Sequence, residues 1–543
     1  MDIRAIERSF AATEDKKAAT GKKGMAASAH PLATAAAVSI LKQGGNAVDA
    51  ACACSLALGV CEPQASGLGG QTMMLIHTGK KTIAVDGSSR APSLVHVNAV
   101  YKPDRAHGYR ATTVPSNLAT LGYVHRRYGG MPWPKIVAPA IALAEDGYAV
   151  SELQHRLQER ELKFFKKVES HSGATYFLNK GKPYPIGALF KQADLAVLLK
   201  RIAAKGAEEF YTGTTAKKID SDMREHGGLL RADDLALIPW PIERKPLIGN
   251  FHSLRVHTMP PPGAGRPFIF MLAMLGALPG KRLNRLNIKK ARLLVEIFRK
   301  AFFERIGRPF DPNFYPQVPG EKMLRASFAH ECIRKIVKSV DPNIPIRESE
   351  DEASGETTHL SVMDQNGMVV SLTQSIERVY GSKAAAQGLG FLYNNYLMDF
   401  EYKEPSHPFY LRPNAHPWAT VAPTIVFYKK EPWMAMGSPG SERSLTAMAQ
   451  FLERIVNKNE NMDLAMRAPR IHCSLGGKVS LEAARFDIDL IKSLERRGYR
   501  MDLRHAYSFY MGAIHAVLKK HSNQGFQGVA EVRRDGTAEG INE

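Results

Sequence analysis

The chain has 543 residues and a hydrophobic fraction of 44%, which is ordinary for a globular protein that buries a large core. No apolar run approaches the roughly 20 residues that a membrane-spanning helix needs, so we expect no membrane span. The formal net charge of +20 would suit nucleic acid, but Lys and Arg alternate with Asp and Glu and form no nucleic-acid-binding motif. We therefore expect a solvated basic surface and no nucleic-acid partner, and attraction of small acidic substrates is the open alternative.

The N-terminal segment differs from the rest of the chain in composition and in its lack of hydrophobic periodicity. Residues 1–23 are polar, rich in lysine and without periodicity, which predicts a flexible basic tail. They contain no apolar segment of the kind that a secretory signal has. The five cysteines show no metal-binding spacing, and an odd number cannot all pair within one chain. These features together predict a cytoplasmic protein.

From Gly24 onward the sequence alternates helical and strand-like patterns. Asn46 is a suitable cap for an Ala- and Leu-rich helix that begins at Ala47, and a glycine turn over 66–70 precedes two strands. Residues 115–345 are predicted to be mostly helical. In chain order we predict strands over 72–77 and 82–86, and helices over 32–41, 117–127, 136–145, 194–204 and 287–304.

The segment 341–356, DPNIPIRESEDEASGE, interrupts this pattern. It is acidic and contains proline and glycine, so we predict an exposed, flexible loop. Directly after it, residues 357–363 alternate in the manner of a strand, and 368–376 form a second strand after a tight turn. Further strands are predicted over 420–428 and 433–436. The whole pattern predicts an α+β protein with layers of helix and sheet around a core.

The junction between Glu356 and Thr357 suits a specific chemistry. If that peptide bond were cut, Thr357 would carry a hydroxyl and a free α-amine, whose pKa is near 8. Such an amine can take the proton of the hydroxyl without a separate histidine, and a strand would hold the nucleophile still. The alternative is an ordinary strand, because threonine favours strands in general.

Residues 357-TTHLSVMDQNGMVVSLTQSIERVYGS resemble the start of the small subunit of the γ-glutamyltranspeptidases. The resemblance extends over roughly residues 24 to 520, and its segments follow in the order that the family has. The other similar segments are 24–70, 115–148, 210–235, 259–265, 392–400, 422–426 and 436–441.

The resemblance implies the four-layer αββα sandwich of the N-terminal-nucleophile hydrolases. It implies a precursor that cuts itself between Glu356 and Thr357 into a large-subunit region, 24–356 behind the tail, and a small-subunit region, 357–543. The two fragments would stay together, and a homodimer of such heterodimers is expected. It further implies acyl transfer through an ester on Thr357 to water or to an amine, with no metal and no organic cofactor.

Several catalytic roles carry over from the family by position. Thr357 matches the nucleophile, and Ser375 stands where the family has a threonine that hydrogen-bonds to it. Gly440 and Ser441 match a Gly-Gly turn whose backbone N–H groups form the oxyanion hole. Ser441 either keeps the N–H donor and adds a hydroxyl to the pocket, or distorts the turn.

The substrate-binding positions depart more from the family. Asp399 matches the aspartate that pairs with the α-amino group of the substrate; a turn or capping aspartate is the alternative. The arginine that binds the α-carboxylate is missing, because Ser88 stands in its place. Arg90 lies two residues along and, in a strand, points to the same side, so it either substitutes or is exposed to solvent.

Three further positions of the predicted pocket are changed. Glu377 replaces an asparagine, Tyr396 replaces a glutamine or glutamate, and Ala419 and Thr420 replace paired serines. Loss of a bidentate arginine and gain of Glu377 would disfavour an α-carboxylate. The sequence thus predicts an intact catalytic centre and an altered specificity pocket.

We therefore expect a self-processing amidohydrolase or acyltransferase that cleaves a small-molecule amide, with an oxamate-like or other acyl group as the substrate. The first alternative is a γ-glutamyltranspeptidase or glutathione hydrolase, which Asp399 supports and which Arg90 would also support if it substitutes for the missing arginine. The second is an inactive homologue that serves as a binding or scaffold protein.

Overall fold

A computed structural model describes residues 1–8, 10, 13–100, 102–278, 287–306, 321–339, 355–521 and 525–543. Its helices are α1 (Ile3–Ile6), α2 (Pro31–Lys42), α3 (Ala47–Cys61), α4 (Asn117–Tyr128), α5 (Trp133–Asp146), α6 (Glu152–Phe165), α7 (Ser172–Phe177), α8 (Ala193–Lys205), α9 (Glu209–Thr212), α10 (Thr214–Glu225), α11 (Ala232–Ala236), α12 (Gly265–Gly276), α13 (Ile288–Ile306), α14 (Ala326–Lys338), α15 (Glu442–Lys458), α16 (Met462–Arg467) and α17 (Ile488–Glu495).

The strands form two large antiparallel sheets, in the order β1-β18-β17-β13-β12-β9-β8 and β19-β2-β10-β11-β3-β4-β7, and two small ones. Their bounds are β1 (Ala18–Gly21), β2 (Gly24–Ser28), β3 (Gln71–Thr78), β4 (Thr82–Gly87), β5 (Tyr148–Ala149), β6 (Leu189–Phe190), β7 (Ile242–Arg244), β8 (Leu247–Phe251), β9 (Leu254–Thr258), β10 (Gly355–Asp364), β11 (Met368–Arg378), β12 (Thr424–Tyr428), β13 (Glu431–Gly437), β14 (Ile471–Cys473), β15 (Lys478–Glu482), β16 (Arg500–Arg504), β17 (His515–Lys519), β18 (Phe526–Ala530) and β19 (Thr537–Ile541).

Three hydrophobic cores hold the layers together. The core between the two large sheets includes Met73, Leu75, Ile425 and Val517, whose side chains point inward from both sheets. A second core joins α2, α3 and their neighbours to the sheet that contains β10. A third joins α12, α13 and α15 to the sheet that contains β13. Helices therefore cover both outer faces, and the predicted four-layer αββα sandwich is confirmed.

The N-terminal residues differ from the predicted flexible tail. Residues 18–21 form β1, which pairs with β18 at the edge of one large sheet. Ile6 on α1 is fully buried, and the carboxylate of Glu7 accepts a hydrogen bond of 3.1 Å from the indole of Trp433. The prediction failed because a four-residue edge strand and a one-turn helix carry too few residues to show a period.

Most of the predicted elements are confirmed within a few residues at each end. The region 115–345 also contains strands that were not predicted: β7, β8 and β9 belong to the large sheets, and β5 and β6 form a small one. Most of the predicted loop 341–356 lies outside the described residues. Gly355 and Glu356, however, are buried and already belong to β10, so the strand begins before Thr357.

Candidate active site

The candidate site lies where β10 and β11 pair irregularly. Glu356 pairs with Glu377 and Thr358 with Gln374, so Thr357 faces two residues of β11 rather than one. Such a β-bulge turns side chains away from the regular alternation and is common beside active sites. The pocket at this point is lined by Gly355, Thr357, Glu377, Tyr396, Asp399, Trp418, Ala419, Thr420, Val421 and Ser441.

Ser375 connects the Thr357 hydroxyl with the preceding peptide bond. Thr357 Oγ1 donates to Ser375 Oγ over 3.2 Å, and Ser375 Oγ donates to the carbonyl oxygen of Glu356 over 2.8 Å. The backbone N–H of Glu377 also donates to Ser375 Oγ, over 2.8 Å. With its proton committed to the carbonyl, Ser375 polarises the bond that joins Glu356 to Thr357.

The predicted oxyanion turn comes just before α15. Gly440 has φ +114°, and Ser441 has φ 52° and ψ −134°. Residues other than glycine rarely adopt the backbone conformation of Ser441. Neither residue uses its backbone N–H in a backbone hydrogen bond within the described part of the chain. This turn therefore leaves two backbone N–H groups without a backbone partner in the described part of the chain, and the serine backbone is strained there.

Glu377 and Asp399 place two carboxyl groups together on the pocket wall. Asp399 ends a short 3-10 helix, Tyr396–Asp399, and lines the pocket together with Glu377. Burial and then the charge of Glu377 raise the pKa of Asp399 well above its usual range, and burial also raises that of Glu377. Both shifts favour the protonated form, so a second negative charge on this pair is disfavoured.

Tyr396 and Thr420 also lie in the pocket, as predicted. The Tyr396 side chain is buried, and this burial raises the pKa of its phenol well above its usual range. The Thr420 hydroxyl accepts a hydrogen bond of 3.0 Å from Nη1 of Arg305. Sequence reasoning missed Arg305, since nothing in its helical surroundings indicates that it reaches the pocket wall.

Arg90 does not belong to this pocket. Its Nη2 donates to the carbonyl oxygens of Leu237, over 2.8 Å, and Asp234, over 3.4 Å. Ser88 does not face the pocket either, because its hydroxyl donates to the carboxylate of Asp86. The suggestion that Arg90 replaces the missing family arginine is therefore wrong: an isolated bridge to Val114, not a long strand, fixes its direction.

The side chain of Glu356 is anchored beside Thr357 but outside the pocket. Its carboxylate forms a buried ion pair with Arg534. Glu62 at the end of α3 is close by; burial raises the pKa of its carboxyl group to about 8, although Arg534 and Thr358 act in the opposite direction. The residue before Thr357 is thus held by charge as well as by strand pairing.

Among the described residues, no cluster of three or more His, Cys, Asp or Glu side chains could hold a metal ion. None of the helices within the described ranges is both long and apolar enough to cross a membrane. All five cysteines are buried.

Fold and site together define an enzyme, an amidohydrolase of the N-terminal-nucleophile class. Residues 33–541 match the family described as Gamma-glutamyltranspeptidase, and the chain belongs to that family. It is 30% identical to a glutathione hydrolase proenzyme of Bacillus subtilis over 97% of this chain and 93% of the relative. It is 31% identical to that of Escherichia coli, over 92% and 88%. A solved cephalosporin acylase of Bacillus halodurans superposes with a TM-score of 0.87 at 25% identity, over 99% of both chains.

Proposed function

We propose that this protein is made as a precursor that cuts itself between Glu356 and Thr357, and that Thr357 is then the nucleophile. The observation that carries this proposal is the chain of hydrogen bonds from Thr357 Oγ1 through Ser375 Oγ to the Glu356 carbonyl. The names of the B. subtilis and E. coli relatives, which are proenzymes, support it.

Self-cleavage follows from this arrangement without a metal or a histidine. Thr357 Oγ attacks the carbonyl carbon of Glu356, an ester bond forms, and the peptide C–N bond breaks. The proton of the hydroxyl passes to the leaving nitrogen of Thr357. Water then hydrolyses the ester, which leaves a carboxylate on Glu356 and a hydroxyl with a free α-amine on Thr357.

The same atoms then perform acyl transfer on a substrate amide. The α-amine of Thr357 takes the hydroxyl proton, and Oγ attacks the substrate carbonyl. The N–H groups of Gly440 and Ser441 stabilise the oxyanion, and the leaving amine receives the proton. Water or an amine then attacks the ester and releases the acyl group. No cofactor is needed at any step.

We propose as well that the acyl group differs from a standard γ-glutamyl group. The segment around Ser88 provides no arginine for a substrate carboxylate. The Ser88 hydroxyl donates to Asp86, and Arg90 donates to the carbonyl oxygen of Leu237 outside the pocket. Glu377 beside Asp399 favours a substrate amino group at this end of the pocket. An oxamate-like or other small acyl amide remains within this proposal.

One of the two alternatives keeps specific support. Asp399 in the pocket favours a γ-glutamyltranspeptidase or glutathione hydrolase, as does the family itself. An inactive scaffold is opposed by the connected hydroxyls of Thr357 and Ser375. A cytoplasmic location and a homodimer of processed molecules stay predictions, which cell fractionation and mass measurement in solution would check.

One gel tests self-cleavage. The purified wild type should separate into fragments 1–356 and 357–543, Thr357→Ala should stay as one chain, and the matched control Thr358→Ser should process normally. A wild-type protein that stays intact after long incubation would refute the proposal. Release of p-nitroaniline from a γ-glutamyl anilide, beside release of ammonia from oxamate and other simple amides, then identifies the acyl group. Efficient turnover of the glutamyl anilide would favour the first alternative.

A further inference from the structure

Arg305 is a buried cation that backs the wall of the candidate pocket. It lies one residue before the end of α13 and is 9% exposed. Its guanidinium donates to Thr420 Oγ1 over 3.0 Å and to the Ala419 carbonyl over 3.3 Å. It also lies 3.9 Å from the centre of the Trp418 ring. All three partners line the pocket that contains Thr357.

The surroundings of this guanidinium are unusual for a buried arginine. The contacts found among the described residues are a hydroxyl, a carbonyl and a ring face, whereas the carboxylates of Glu442 and Asp399 attract it only through space. Burial lowers the pKa of Arg305 to about 9, so it remains positively charged at neutral pH. A buried charge without a carboxylate in direct contact lowers the stability of the fold. A bound anion near Arg305 would therefore offset part of this desolvation cost.

The contact with Arg305 also fixes what the Thr420 hydroxyl can do. A hydroxyl has one proton and two lone pairs, and the guanidinium can only donate. Thr420 Oγ1 therefore accepts from Arg305 and must direct its own proton elsewhere. No acceptor for that proton occurs in the described part of the chain, and Thr420 faces the pocket. The hydroxyl is thus a prepared donor toward a bound acyl group.

We infer that Arg305 is a positioning residue for the acyl donor, which turns Thr420 into a hydrogen-bond donor and supplies the positive potential for a carboxylate on the acyl group. This inference rests on the proposed function. The positive charge is that of Arg305 on α13, in the layer that packs on the sheet containing β13, and it acts through Thr420. The missing family arginine would instead have come from the segment of Ser88 and contacted the carboxylate directly.

The test measures binding of three small acids to the processed protein by calorimetry. Each acid has one carboxylate in the place of the substrate amide. Glutarate has a second carboxylate at its other end, and glutamate has both that carboxylate and an amino group. 4-Aminobutyrate has the amino group but not the second carboxylate. We expect Arg305→Gln to weaken glutarate and glutamate about 10-fold or more, and 4-aminobutyrate less than about 2-fold. Arg90→Gln is the matched control and should change none of the three affinities.

Further variants separate a specific role from a loss of folding. Arg305→Lys keeps the charge and should restore part of the affinity for glutarate, although a lysine lacks the planar fork. Thr420→Val should weaken glutarate by a similar factor, and combining it with Arg305→Gln should add little, because both act on the same hydrogen bond. With the matching p-nitroanilides, KM of the glutaryl and γ-glutamyl compounds should rise while kcat changes little.

Each outcome decides a different question. A wild-type protein that binds glutarate no better than Arg305→Gln does, or that binds 4-aminobutyrate as tightly as glutamate, overturns the inference. Equal losses for all three acids in Arg305→Gln, with no recovery in Arg305→Lys and normal binding in Thr420→Val, overturn it too. Self-cleavage on a gel is scored separately, so a protein that processes normally but ignores the carboxylate refutes only the role of Arg305.

Discussion

The Ser375 hydroxyl donates to the carbonyl oxygen of Glu356 over 2.8 Å, within the same hydrogen-bonded chain as the Thr357 hydroxyl. Because this donor polarises the carbonyl that Thr357 is proposed to attack, Ser375→Ala should slow self-cleavage by about 10²–10³-fold, the usual effect of removing one oxyanion donor. Ser375→Thr retains the hydroxyl and should process at close to the wild-type rate. The rate is measured as loss of the full-length band with time.

A serine far from the junction supplies the control for that experiment. Ser93 is exposed, and Ser93→Ala should process as the wild type does. Wild-type processing by Ser375→Ala would show that the hydrogen bond to the Glu356 carbonyl is not needed for cleavage.

Protonation of the Glu377–Asp399 pair should govern the acid limb of the pH profile. Burial and the neighbouring Glu377 hold the pKa of Asp399 well above its usual range, so ionised Asp399 is depleted as the pH falls. Glu377→Gln removes the neighbouring negative charge but not the burial, and the pKa of Asp399 should therefore fall. For an amide with an amino-bearing acyl group, the acid limb of kcat/KM should move to lower pH by about one unit.

The comparison needs a substrate that does not use the pair. With a glutaryl anilide, which lacks the amino group, the limb should move much less. An acid limb that stays in place for the amino-bearing substrate would refute protonation of Asp399 beside Glu377 as its origin.

Glu62 should make stability depend on pH in a defined window. Burial raises the pKa of its carboxyl group in the folded protein to about 8, against about 4.5 when unfolded, so the folded state binds more protons between these values. The contribution of Glu62 to stability is therefore full below about pH 4.5 and is lost as the pH rises to about 8. Glu62→Gln does not titrate, so its stability relative to wild type should increase across that window, by up to a few kcal/mol.

Urea unfolding at a series of pH values checks this prediction, with both proteins in a Thr357→Ala background to prevent cleavage. The difference in the free energy of unfolding should level off above about pH 8. A difference that is constant from pH 5 to pH 9 would show that Glu62 ionises normally in the folded protein.

How much of this site is predictable from sequence depends on which interactions place each residue. Thr357, Ser375 and Asp399 were predictable because family order along the chain assigns them, and β10 and β11 bring the first two together through adjacent pairing. Arg305 was not, because its contact with Thr420 joins a helix and a loop that only tertiary packing brings together. Arg90 was predicted wrongly, since alternation along a strand says nothing about a segment that leaves its strand at Gly87.

The fold shows the same division. Long periodic helices such as α4 and α5 were predictable from hydrophobic spacing alone. Strands β1, β8 and β9 have only four or five residues each and lie toward the edges of one large sheet, so each is too short for its period to stand out in the sequence. Their existence depends on the neighbouring strands rather than on local preference.

The strained backbone of Ser441 gives the last prediction. At φ 52° and ψ −134° a serine costs about 1–3 kcal/mol relative to an allowed conformation, whereas glycine adopts it freely. Glycine raises the entropy of the unfolded chain by about 0.5–1 kcal/mol, so Ser441→Gly should stabilise the protein by roughly 1 kcal/mol net. The backbone N–H groups of the turn remain, and self-cleavage should continue. Ser444→Gly makes the same chemical change inside α15, where it should destabilise by about 1 kcal/mol. Urea unfolding of both variants in the Thr357→Ala background measures the two effects, and a Ser441→Gly protein as destabilised as Ser444→Gly would mean that the turn carries no strain.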